Sequence, residues 1–190
     1  MNDQQTNTLT DVYKVAFKAL LSQELNTGLP GMIEKVIDFK KKKVSVKPLI
    51  KKIYLDEREL ILPIIENVPV VYPESDDCIL QIPLKKGMKV WLSFSQRSMD
   101  TYLSTGIDSI PGNTSKFSLS DAVAFLGCRD FKEEHPLIEN NTDFGLIYKG
   151  NKIIIKEDNS ISLNNENGSI VMEQDGLVNI NDGSLTVESW

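Results

Sequence analysis

Two rhythms of apolar and polar positions divide the chain, one of period 3.6 near the start and one of period two from Pro30 onward. Residues 10–25, TDVYKVAFKALLSQEL, put Val12, Val15, Ala16, Ala19, Leu20 and Leu21 near one stripe at helical spacing. Thr10 or Asp11 stands where free N–H groups need a cap, and NTG at Asn26–Gly28 supplies the stop. This amphipathic helix is expected to cover the body of its own domain; its other use is as an arm for a partner. The period-two runs are MIEKVIDF (32–39), VSVKPLIKKIYL (44–55), ELILPIIENVPVVYP (59–73), CILQIPL (78–84) and MKVWLSFS (88–95). These β-branched and aromatic runs predict about five strands, enough for a small barrel. Pro48, Pro63, Pro69 and Pro83 fall at strand ends or edges, so the sheet is expected to be strongly bent and partly open. SIPGNTSKFSLSDAVAFLG (109–127) mixes turn formers with a short apolar segment, and Asn140–Gly150 reads as a stiff hinge.

The terminal residues repeat a smaller unit. Apolar side chains come in i, i+2 pairs, Ile153/Ile155, Ile161/Leu163, Ile170/Met172, Val178/Ile180 and Leu185/Val187, with DNS, NNENG, QDG and NDG between them. Gly, Asn and Asp tolerate left-handed backbone, so each unit is a short strand followed by a turn. A unit of this length cannot bury its apolar row alone. A single-chain β-helix needs several strands per coil, and five units make too few coils. Two solutions remain from periodicity: an antiparallel meander, or three identical chains wound about one axis so that each supplies one face per level. Three-fold closure would also remove exposed lateral edges.

Composition narrows the chemistry. The 190 residues carry a net charge of −6, and the terminal part is the acidic one, with Lys152 and Lys156 its only cations. Nucleic-acid binding through phosphates needs clustered Lys and Arg, whereas the single basic run, Lys40–Lys43, reads as a solvated hairpin turn. Cys78 and Cys128 read as reduced, buried small apolar groups, and the only histidine, His135, leaves too few ligands for zinc. No metal and no cofactor are therefore expected. Export signals and long apolar spans are missing from the pattern, so synthesis in the cytoplasm without Sec export is expected. Neither a nucleophile elbow nor a phosphate-binding glycine loop occurs, and the acid pairs Asp76/Asp77 and Glu133/Glu134 read as solvated loops. The expectation is that the chain is not an enzyme.

VPVVYP (68–73), ILQIPLKKGMKVWLSFSQRSMDTYLSTG (79–106) and FSLSDAVAFLG (117–127) resemble, in order and spacing, the N-terminal domain of the central-spike proteins of contractile-tailed phages. The residues that carry the resemblance are Pro83, Leu84, Gly87, Val90, Leu92, Phe94, Arg97 and Asp100, with Met88 where that family usually has Asp, then Leu119 to Val123, including Asp121, and Gly127. The resemblance implies a mainly β fold: an N-terminal helix or arm (1–29), an OB-type barrel with a following segment (30–139) and a trimeric, triple-stranded β-helix needle (140–190). It favours the three-chain solution for the terminal pairs, which then form the trimer core. It implies a homotrimer in the virion tail baseplate, docked on the tail hub and driven through the host outer envelope, without nucleic acid as partner. Needles of this kind can end in a His-x-His pair that holds iron; no histidine follows His135. Trp190 at the end is then the expected contact for a separate tip protein, unless the needle is blunt or the chain truncated. Arg97 and Asp100 are expected to form a structural ion pair, and Trp91 to lie in a core or trimer interface. The other functional class compatible with these residues is a monomeric OB-type module for carbohydrate or oligonucleotide.

Overall fold

The computed structural model describes residues 9–54, 57–132 and 140–184, with backbone alone for 19–24. In chain order the elements are α1 (Leu9–Glu24), β1 (Gly28–Asp38), β2 (Lys43–Pro48), β3 (Lys52–Ile53), β4 (Glu59–Leu60), β5 (Ile65–Val71), β6 (Glu74–Ser75), β7 (Cys78–Ile79), β8 (Lys89–Phe94), α2 (Asp100–Thr105) and β9 (Ala122–Leu126). Five short strands follow: β10 (Phe144–Tyr148), β11 (Asn151–Ile155), β12 (Ile161–Asn164), β13 (Ser169–Met172) and β14 (Val178–Ile180). The fold is mainly β, and the chain divides into two compact units, Met1–Asp130 and Phe131–Trp190.

The first unit is built around a closed barrel of strand order β1-β2-β5-β9-β8. All its pairings are antiparallel except β5 with β9. Alternation sends Ile33, Val44, Val46, Val68, Val90 and Leu92 inward, each at most 1% exposed. Burying a side chain of this size stabilises by about 1.5–3 kcal/mol. Gly31 permits the close approach of β1 to the core, since a Cβ there would lie 2.5 Å from Val46 Cγ1. Closure of the barrel corrects the expectation of a partly open sheet. Register shifts between Ile33 and Lys35 and between Val36 and Asp38 bend β1, and such bulges add the curvature that closure needs.

The fifth barrel strand also differs from the expected one. Cys78–Leu84 contributes only the two-residue β7, paired with β6, and then a loop in which Leu84 and Ile82 pack against the core. Pro83 has no N–H to give a ladder. The place is taken by β9, whose inward residues Ala122 and Ala124 are 1% and 0% exposed. Alanines carry a weak hydrophobic signal, which is why alternation alone passed over this strand. Lys40–Lys42 do lie in the β1–β2 turn and Lys43 opens β2; Lys42, with φ 52°, pairs with Glu74 and stands 5.1 Å from the Tyr72 ring centre. The described side chains of α1, Leu9 to Lys18, are all exposed, so this part of the helix does not cover its domain, while Ala19, Leu20 and Leu21 of the expected stripe lie outside the described side chains.

The second unit is one five-stranded sheet in sequential order β10-β11-β12-β13-β14, antiparallel throughout. Its hairpins follow from their turn residues. Lys149 and Gly150, with φ 49° and 82°, form the two-residue connection of β10 and β11, the left-handed pair such tight hairpins require. Asn165 Oδ1 accepts from the N–H groups of Asn167 (2.8 Å) and Gly168 (2.7 Å) before β13. Within one chain this is a meander; a triple-stranded β-helix requires further copies.

Candidate functional site

Cross-strand register gathers the terminal apolar pairs into two rows on one face of the sheet. One row runs Phe144, Ile155, Ile161, Met172, Val178, and the other runs Leu146, Ile153, Leu163, Ile170, Ile180. Period-two alternation puts them all on one side. Among the described residues, eight of the ten are left exposed, while Ile161 and Ile180 are half-buried. Ile153 is 45% exposed, Ile170 41% and Val178 53%, and a shallow concavity is lined by Ile153, Leu163, Ile170 and Ile180. The opposite face is mixed and holds Ser162, Asn164, Ser169 and Asn179 with Ile154 and Val171. Ser160 and Ser162 are buried there at 1% and 2% exposure. The more water-compatible side chains are thus the more enclosed, an inversion of the usual burial order. Contiguous exposed apolar rows of this length mark an association surface. Leu185, Val187 and Trp190 lie outside the described residues, as do His135, Glu133 and Glu134.

The barrel motif residues are placed as follows. Phe94 is a core residue at 5% exposure. Pro83 sits in the loop before the Lys85–Met88 turn, and Gly87, with φ 89°, donates its N–H to Ile33 O at 2.8 Å. Only glycine enters that region without steric cost. Arg97 and Asp100 do not form the expected ion pair: Asp100 accepts from Ser98 Oγ at 3.4 Å, and Arg97 is exposed. The acid that organises this corner is Asp121, 3% exposed. Its Oδ1 accepts from the N–H of Met99 at 3.0 Å, at the entrance of α2, and its carbonyl accepts from Ser95 N at 2.9 Å. The two halves of the motif therefore meet in space, with the charged pair on the rim and the structural hydrogen bonds beneath.

Trp91 is not in the core. It stands on the outer barrel wall, 42% exposed, in register with Pro30 on one side and Phe125 on the other. Phe125 pairs in turn with Val71, and both are almost equally exposed, at 43% and 42%. Sequence reasoning missed this outer row; the signal was that VWLSF and AVAFL each set one aromatic out of phase with the inward residues. Among the described residues no group of three or more His, Cys, Asp or Glu is placed to hold a metal ion. No described helix is long and apolar enough to cross a membrane. Cys78 and Cys128 are both free thiols, but neither is buried as expected: Cys78 is exposed and Cys128 half-buried.

A family model described as the N-terminal domain of the phage protein Gp138 matches residues 29–127, just over half the chain. The matched span runs from the start of β1 to the end of β9 and so contains the whole barrel, while the terminal sheet lies beyond it. No curated protein matches the chain.

Proposed function

This chain belongs to the family of phage proteins defined by the Gp138 N-terminal domain, and from that premise we propose that it is the central spike of a contractile tail baseplate. It acts as a homotrimer whose OB-type barrel end docks on the tail hub and whose terminal sheets wind together into a triple-stranded β-helix that helps puncture the host envelope. The observation that carries this reading is the pair of uncovered apolar rows on β10–β14. One copy leaves eight of the ten side chains exposed and Ile161 and Ile180 half-buried, whereas three copies turned toward one axis would cover all of them and leave the mixed faces outward. The physical consequence is stiffness: a prism whose strands are joined only by tight turns resists compression along its axis. No catalytic step is assigned, and the work of penetration comes from sheath contraction. Localisation follows as the virion tail.

Light scattering or sedimentation of the full chain is the decisive measurement. The expected species has three times the 21.4 kDa chain mass and resists dissociation. A stable monomer sinks the spike reading and leaves a monomeric OB-type module for carbohydrate or oligonucleotide as the remaining class.

A further inference from the structure

The two turn-bearing flanks of the terminal sheet differ in charge. The apolar row that begins at Phe144 is flanked by the turns 140–143, 156–160 and 173–177, and the row that begins at Leu146 by the turns 149–150, 165–168 and 181–184. The first flank carries five carboxylates, Asp143, Glu157, Asp158, Glu173 and Asp175, against one cation, Lys156. On the second, Glu166 and Asp182 are matched by Lys149 and Lys152, and Lys152 lines the concavity there beside Ile153, Leu163 and Ile170. Both rows share one face of a sheet in sequential strand order, so the two flanks of one chain cannot turn to meet each other.

We propose that the acidic flank of one copy seats against the Lys149/Lys152 flank of the next, head to tail, so that the row beginning at Phe144 packs into the concave row of its neighbour and the contact closes after three copies. The inference deepens the trimeric reading above and rests on it. Charge selects this arrangement over its alternatives. A two-fold contact along the acidic flank would set five carboxylates against five, and like charge across an interface is what excludes wrong pairings. A two-fold contact along the other flank would leave the Phe144 row open to water. Rotation about one axis always sets one flank against the other, the heterologous contact that generates closed rings. Rotation also keeps each strand at its own level, so residues i and i+2 of one strand meet across copies: Met172 of one chain faces Ile170 of the next. Methionine is unbranched and fills irregular apolar gaps, which suits Met172 to the concavity formed by Ile153, Leu163 and Ile170.

The test uses full chains with Cys78→Ser and Cys128→Ser, sized by light scattering before any oxidation. Ile170→Cys and Met172→Cys are then placed together on that chain, which is mildly oxidised. Head-to-tail contact links every chain to two neighbours and predicts a covalent trimer on a denaturing, non-reducing gel. Covalent dimers alone at the end point, bonds confined to single chains, or thiols that stay unreacted in a confirmed trimer overturn the contact while leaving the trimer standing. A monomer of the cysteine-free parent removes the trimeric reading itself. Charge supplies a second readout that leaves the apolar rows intact. Lys149→Glu with Lys152→Glu makes both flanks acidic and should lower the urea midpoint for dissociation of the trimer; adding Glu157→Lys and Asp158→Lys should raise it again. Equal midpoints in all three chains overturn the matching of the flanks.

Discussion

Gly31 shows how much of the barrel rests on one missing methyl group. A Cβ at that position would also come within 3.1 Å of Leu92 Cδ1, so Gly31→Ala overpacks a core without room to yield. A loss of about 1–3 kcal/mol is expected, read as a lower denaturation midpoint with unchanged slope. Tyr72 works differently: 5% exposed, it donates from its hydroxyl to Ile82 O at 2.9 Å and holds the loop after β7 against the core. Tyr72→Phe should cost about 0.5–1.5 kcal/mol. Burial, with a smaller effect of the Glu74 charge, raises its pKa above the ordinary 10.0. The folded state thus favours the protonated phenol. The corresponding stability is fully present below pH 10.0, is lost as pH rises through the raised value, and should show no such alkaline dependence in the Phe variant.

At the scale of elements, the entrance of α2 depends on β9 through Asp121. Asp121→Ala leaves the Met99 N–H without its acceptor and should destabilise the barrel by about 1–3 kcal/mol, whereas Asp121→Asn retains an acceptor oxygen and should cost less. Equal losses in both variants, compared by urea unfolding, would show that charge rather than the hydrogen bond matters. In the terminal sheet the informative position is Ile170, in the middle of an apolar row between Leu163 and Ile180. In the proposed trimer, Ile170→Asp would set three carboxylates toward one axis, a burial of like charge that association cannot offset. The expected outcome is loss of the trimer by light scattering; normal assembly would show that Ile170 does not face the axis. Phe144–Tyr148, read as part of a hinge, forms β10, whereas strands β11 to β14 were legible because alternation and turn residues agree there. The barrel's fifth strand was not, because two alanines carry its buried face and CILQIPL offered a stronger pattern.

For the whole molecule, the proposed trimer would make the same apolar rows set stability and assembly together. A trimer held by them should lose secondary structure and mass in one transition whose midpoint rises with chain concentration; a concentration-independent midpoint would argue for a monomeric fold. Elemental analysis of the assembled protein is expected to find no stoichiometric iron or zinc. Local rules sufficed to determine the periods, the turns, the helix and the two apolar rows, since each depends on neighbours a few residues away. The family resemblance, not local rules, singled out Gly87 and Phe94 in one motif and Asp121 in the next. Only the tertiary structure decided that the barrel closes through a parallel β5–β9 pair, that Asp121 rather than an Arg97–Asp100 pair ties the corner, and that Trp91 faces outward. Those outcomes depend on register between strands tens of residues apart, where bulges and small side chains choose the partner, and a linear pattern does not encode that distance.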